Sequence, residues 1–127
     1  MPVTITTRAA KGSALSHAEM DANLSNLKAA VDLAKKETTL VTANTVLGVL
    51  NTIIVNATTN PVTLTLPPVA TSLNKTYTVK RIDSAVGNMV VVDGNASETI
   101  DGGLTTNLTT QYHVVHLICD GVTWHKI

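Results

Sequence analysis

The residues able to do chemistry in this chain of 127 are few, and most lie near its C-terminal end. His113 and His116 fall on opposite faces of a strand, because successive side chains alternate, so one metal cannot take both from one chain. A two-residue turn at Asp120-Gly121 sets His116 opposite His125, and that pair is the candidate for a metal. Two imidazoles lack the third ligand such a site wants, and the competing reading is a half-exposed cross-strand pair. No metal and no cofactor is therefore expected. Asp93, Asp101 and Asp120 each precede a glycine. Their spacing matches no calcium loop, and turn formation accounts for them. Glu98 and Asp101 share one turn, thin support for the paired carboxylates that cleave a glycoside in a cleft. His17 and Glu19 belong to a first helical turn, where capping explains the glutamate. There is no glycine-rich phosphate loop, nucleophile elbow or metalloprotease motif. The single Cys119 has no internal disulfide partner and reads as a buried thiol in an apolar strand. These residues point away from an enzyme.

The elements that place them are mostly strands. Tyr112–Cys119 reads as a strand, Asp120-Gly121 as a type I′ turn, and Val122–Ile127 as the return. That turn pairs Cys119 with Val122, Leu117 with Trp124 and His116 with His125. Leu117 and Trp124 then share the face on which the chain's single tryptophan is buried. Upstream, strands are expected at Thr39–Thr42, Asn51–Asn56, Val62–Leu66, Thr76–Ile82, Asn88–Val92 and Glu98–Ile100. Val46–Leu50 fits either a helical turn or a strand bulged at Gly48. Asn60-Pro61 makes a tight connection between two strands, and Pro67-Pro68 ends the second because proline cannot donate to a ladder. Short strands without helices between them predict a sandwich- or prism-like all-β unit over residues 38–127.

Composition agrees. Thr is about one residue in six, and Thr with Val favours strands. Aromatics are 2% of residues and Phe is absent, so the core is thin and an oligomer is expected to bury the remaining apolar surface. Nine basic and nine acidic residues cancel, which implies no polyanion partner and no nucleic acid. No run has the length and apolarity of a signal peptide or a membrane span, so no membrane insertion is expected and synthesis in a cytoplasm is.

Residues 1–15 form an arm whose Pro2–Thr7 alternates weakly like a strand before Arg8, Lys11 and Gly12 interrupt it. Such an arm is either disordered or pairs with another protein, with Val3, Ile5 and Arg8 as the docking candidates. Residues 16–37 form the helix. Ser16 and Glu19 make a capping box, and Lys35 and Lys36 suit the dipole at its other end. Met20, Leu24, Leu27 and Val31 recur at steps of four, three and four, the a/d spacing of a coiled coil. The stripe is either a seam between copies of the chain or the face of one amphipathic helix packed on its own β domain.

Lys11-Gly-Ser-Ala-Leu-Ser-His-Ala-Glu-Met-Asp-Ala-Asn-Leu-Ser-Asn-Leu resembles a motif near the start of many bacteriophage tail-fibre and tail-appendage proteins. Val62-Thr-Leu-Thr-Leu-Pro, Lys75-Thr-Tyr-Thr-Val-Lys-Arg-Ile-Asp, Glu98-Thr-Ile-Asp-Gly and Leu117-Ile-Cys-Asp-Gly-Val-Thr-Trp resemble small β modules of phage fibre and virion-surface proteins. The resemblance implies a homotrimer in the virion, docked by its N-terminus on another virion protein of the tail, neck or capsid, with the β unit as a projecting knob. It leaves two alternatives, a capsid decoration protein and a fibre tip that grips a host glycan or envelope protein.

Overall fold

The computed structural model describes residues 4–34 and 37–127, the side chains of residues 33 and 34 excepted. The expected positions of Val3, Lys35 and Lys36 lie outside the described residues. The chain divides into two compact units, Met1–Lys35 and Lys36–Ile127. The first holds helices α1 (Arg8–Lys11) and α2 (His17–Ala34). In the second, the described residues form β1 (Thr38–Val41), β2 (Thr45–Val46), β3 (Thr52–Val55), β4 (Val62–Thr65) and β5 (Thr76–Arg81). After these come β6 (Val90–Asp93), β7 (Thr105–Leu108), β8 (Val114–Cys119) and β9 (Trp124–Lys126). The protein is mainly β, with one long helix and its strands in two sheets.

From β1 to β6 the strands alternate between the sheets. One sheet runs β1-β3-β5-β8-β9 and the other β2-β4-β6-β7. Pairs β1–β3, β3–β5, β2–β4 and β4–β6 are parallel, and the later pairs are antiparallel. The chain thus winds as three coils, β1–β2, β3–β4 and β5–β6, before β7, β8 and β9 close them. Parallel neighbours need a long crossover, ordinarily a helix. Here the opposite sheet is the crossover, with only a short 3-10 turn at Val69–Thr71 between β4 and β5, so parallel pairs form without an α-helix.

Alternation turns Ile53, Val55, Val79 and Leu117 inward from one sheet, and Val62, Leu64, Val90 and Val92 from the other, into one buried core. Strands stack in register, so Val41 lies beside Val55 and Val62 beside Val90. Equal β-branched side chains fill successive coils, which is why a Thr- and Val-rich sequence suffices.

Several local expectations change. Thr45–Val46 and Thr105–Leu108 are strands that the sequence pattern did not single out. Glu98–Ile100 is no strand; Ile100 makes only isolated bridges, to Gly103 and Trp124. After β2 the chain turns at Gly48, φ +47°, rather than bulging within a strand. In the arm, Thr4–Thr7 has no strand partner among the described residues, and α1 follows it.

The last hairpin corrects the expected register. Cys119 pairs with Trp124, Ile118 with His125 and Leu117 with Lys126, two residues away from the predicted pairs. Asp120 causes the shift. Its Oδ1 accepts from the N–H of Val122 and of Thr123, both at 2.8 Å, and its own N–H donates to the Thr123 carbonyl. The loop therefore spans Asp120–Thr123, with only Gly121 at positive φ (89°). The type I′ geometry occurs instead at Asp101-Gly102, φ 49° and 84°, where Ile100 and Gly103 exchange both backbone hydrogen bonds. An even shift preserves facing, so Leu117, Cys119 and Trp124 all stay buried.

Trp124 is fully buried with its ring 5.5 Å from that of Tyr77, and among the described residues its Nε1–H has no acceptor. Burial of Tyr77 pushes its hydroxyl up to about 12. Trp124→Ala is expected to cost about 3–5 kcal/mol in urea unfolding. Trp124→Phe should cost clearly less, because it also removes a buried unpaired donor. Equal losses for the two would contradict this packing.

Candidate docking and assembly site

The first unit is a helical hairpin assembled from short-range polar contacts. Thr7 caps α1, its Oγ1 accepting from Ala10 N at 3.1 Å. Gly12 ends α1 in the left-handed region, φ +73°, with its N–H bonded to the Arg8 carbonyl. Lys11 then reaches across the turn to the Ala14 carbonyl and the Glu19 carboxylate. Glu19 completes the predicted capping box: it accepts from Ser16 N at 2.7 Å, and Glu19 N donates to Ser16 Oγ at 3.2 Å. The Lys11 ammonium and the Ser16 N–H hold the Glu19 carboxyl at about 2, far below its ordinary range.

Asn23 and Asn26 tie the arm to α2, and sequence reasoning missed both. Asn23 Oδ1 accepts from Thr6 N and its Nδ2 donates to Thr6 O, each at 2.8 Å. Asn26 Nδ2 donates to Thr4 O at 2.6 Å. The arm thus runs antiparallel to the helix. A signal was present, since asparagine is a poor helix former and the two sit three apart inside a helix. Lys11, Gly12, Ser16, Glu19 and Asn23 therefore each have a folding role.

Met20, Leu24, Leu27 and Val31 lie between 41% and 66% exposed. Ile5 and Arg8, the described docking candidates, are exposed as well. No helix among the described residues is long and apolar enough to cross a membrane.

In the second unit His116 and His125 have different partners, and His125 lies between Asp120 and Asp101. His116 Nδ1 lies 3.0 Å from Thr78 Oγ1, and His125 Nε2 lies 2.9 Å from Asp120 Oδ2. The corrected register separates the expected His116–His125 pair. His125, followed by Val122 and Thr123 N–H, draws the Asp120 carboxyl far below its usual range. His113 Nδ1 accepts from Thr109 N. Among the described residues no three of His, Cys, Asp and Glu gather to hold a metal. Glu98 accepts from Val69 N, while Asp101 accepts from Lys126 N, so the two carboxylates serve different loops.

Arg81 and Asp83 form a buried ion pair, Nη2 to Oδ1 at 2.8 Å, both side chains 2% exposed. The Arg81 guanidinium also donates to the carbonyls of Leu108, Ala85 and Asn88. Asp83 accepts from the N–H of Ala57 and of Ala85. An open pocket of about 330 Å³ lies over this end, between residues 84–89 and 109–111, but the guanidinium at its base is already committed to Asp83 and to carbonyls.

The first coil leaves one edge open. Glu37 and Val41 carbonyls accept from β3, so alternation turns the N–H and C=O of Thr38 and Leu40 outward. Leu40, Val46 and Val49 are exposed in that coil, and no charged side chain occurs between Glu37 and Lys75. Comparison with family models, curated proteins and solved structures gives no match to this chain.

Burial raises the Asp83 pKa, but the Arg81 guanidinium and the two backbone N–H groups outweigh it and hold the carboxyl at about 2. A depressed folded-state pKa stabilises the protein above the unfolded value and loses that contribution as pH falls towards 2. Wild-type unfolding free energy should thus drop by about 2 kcal/mol from this group between pH 5 and pH 2. Asp83→Ala at neutral pH should cost about 3–5 kcal/mol, and more than the double change Arg81→Met/Asp83→Leu, which leaves no charge stranded. A double variant less stable than the single one would contradict the burial of this pair.

Proposed function

We propose that this chain is a structural component of a bacteriophage virion, a short tail or neck fibre. It is a homotrimer held along α2, docked on another virion protein by its N-terminal arm, with the β unit as the projecting knob. The observation that carries this is the uncovered stripe Met20, Leu24, Leu27 and Val31, four large apolar side chains at coiled-coil spacing on one helix. Such a stripe loses its contact with water when copies pack a and d positions together. The tail-fibre-like motif supports the assignment, because its residues build the hairpin that carries stripe and arm. The open, uncharged first coil gives the β unit a surface on which copies meet without burying charge.

The test uses two variants of the full chain. Leu27→Asp buries a charge at a d position in each copy, at a cost of roughly several kcal/mol, and should dissociate the assembly. Deletion of residues 1–15 should leave a folded oligomer that no longer joins particles. An unchanged mass for Leu27→Asp would remove the stripe from the interface. Incorporation of the truncated chain would remove the arm from docking.

A further inference from the structure

The contacts between arm and helix divide the arm's backbone into two edges. Thr6 gives both its N–H and its C=O to Asn23, and Thr4 gives its C=O to Asn26. These are alternate residues, and in extended chain alternate residues point their backbone groups to the same side. Thr7 is extended, φ −99° and ψ 151°, and continues that line into α1, where its carbonyl accepts from Lys11 N. The intervening residue, Ile5, turns its N–H and C=O to the other side. Among the described residues neither group has a partner in the chain. The Ile5 side chain is itself exposed.

We infer that Asn23 and Asn26 act as a side-chain ladder that holds the arm as a ready-made β-strand with one free edge. The kind of partner it fits is an unpaired strand edge on the protein that receives the chain, an inference that rests on the docking role proposed for the arm. The amide of Asn23 presents one acceptor and one donor to a single residue, as the edge of a neighbouring strand does. Because the grip is on backbone alone, the arm's side chains stay available for contacts with the acceptor. Because the grip uses only Thr4 and Thr6, the arm need not leave the helix to pair through Ile5. Holding the strand straight beforehand removes ordering cost from the docking step, which makes Asn23 and Asn26 positioning residues rather than a lock.

Ile5→Pro separates strand pairing from folding. It deletes the outward N–H, leaves both asparagine contacts in place, and favours extended backbone at Thr4. In the isolated full-length protein, hydrogen exchange should show Thr6 N–H protected, unchanged by Ile5→Pro and lost in Asn23→Ala. Incorporation is then scored on particles assembled with each variant in place of the wild-type chain. Ile5→Pro should lower incorporation about tenfold or more, as for loss of a docking hydrogen bond. Asn23→Ala/Asn26→Ala should lower it by a similar factor through loss of the held strand. Wild-type incorporation of Ile5→Pro, when deletion of residues 1–15 abolishes it, would overturn strand pairing and leave arm docking intact. Wild-type incorporation of the deletion as well would overturn both. An unprotected Thr6 N–H in the wild-type chain would overturn the clamp.

Discussion

The β unit depends most on the guanidinium of Arg81. In a stack of parallel coils, no hairpin ties one strand to its neighbour, and the loops at the coil ends carry backbone groups that the ladders cannot satisfy. Arg81 and Asp83 between them bind backbone at Ala57, Ala85, Asn88 and Leu108, from the loops after β3 and β5 and from the end of β7. The pair replaces at that level the valine that occupies the same column in the two preceding coils, since Arg81 stands beside Val55 and Val55 beside Val41. A buried pair of this kind adds little net stability compared with apolar side chains, but removal of either member strands a charge. Its contribution lies in joining two loops and the end of β7 at one end of the core.

The N-terminal unit is organised by different physics. Its helices bury little, and both ends of α1 and the start of α2 are satisfied by Thr7, Gly12, Ser16 and Glu19 within a few residues. Capping and the Lys11–Glu19 contact shape the hairpin without covering the apolar stripe. The helix makes its polar contacts on one row and leaves the leucines of the next row exposed.

Much of this was legible in the residues. The capping box and the strand alternation at Thr52–Val55, Val62–Thr65 and Thr76–Arg81 follow directly from local pattern. The parallel pairing was not legible, because a period of two gives each strand its inward face but not its neighbour. β2 has only two residues, and β7 carries a single buried apolar side chain, Leu108, so neither stands out from loop sequence. The hairpin register failed because the Asp120 carboxylate competes with backbone for the turn's N–H groups, a choice that Asp-Gly spacing does not reveal. The site residues were half legible. The stripe was read from its spacing, whereas Asn23 and Asn26 passed as solvent residues. Arg81 was not singled out, although it shares the inward parity of Tyr77 and Val79.

Assembly along α2 is the claim on which the fibre assignment stands, and the most direct test is the mass of the unaltered protein in solution. Sedimentation equilibrium at micromolar concentration should report a single species of three times the 13.3 kDa chain mass. A stable 13.3 kDa monomer over that range would contradict the account, because the stripe would then be exposed in the functional molecule.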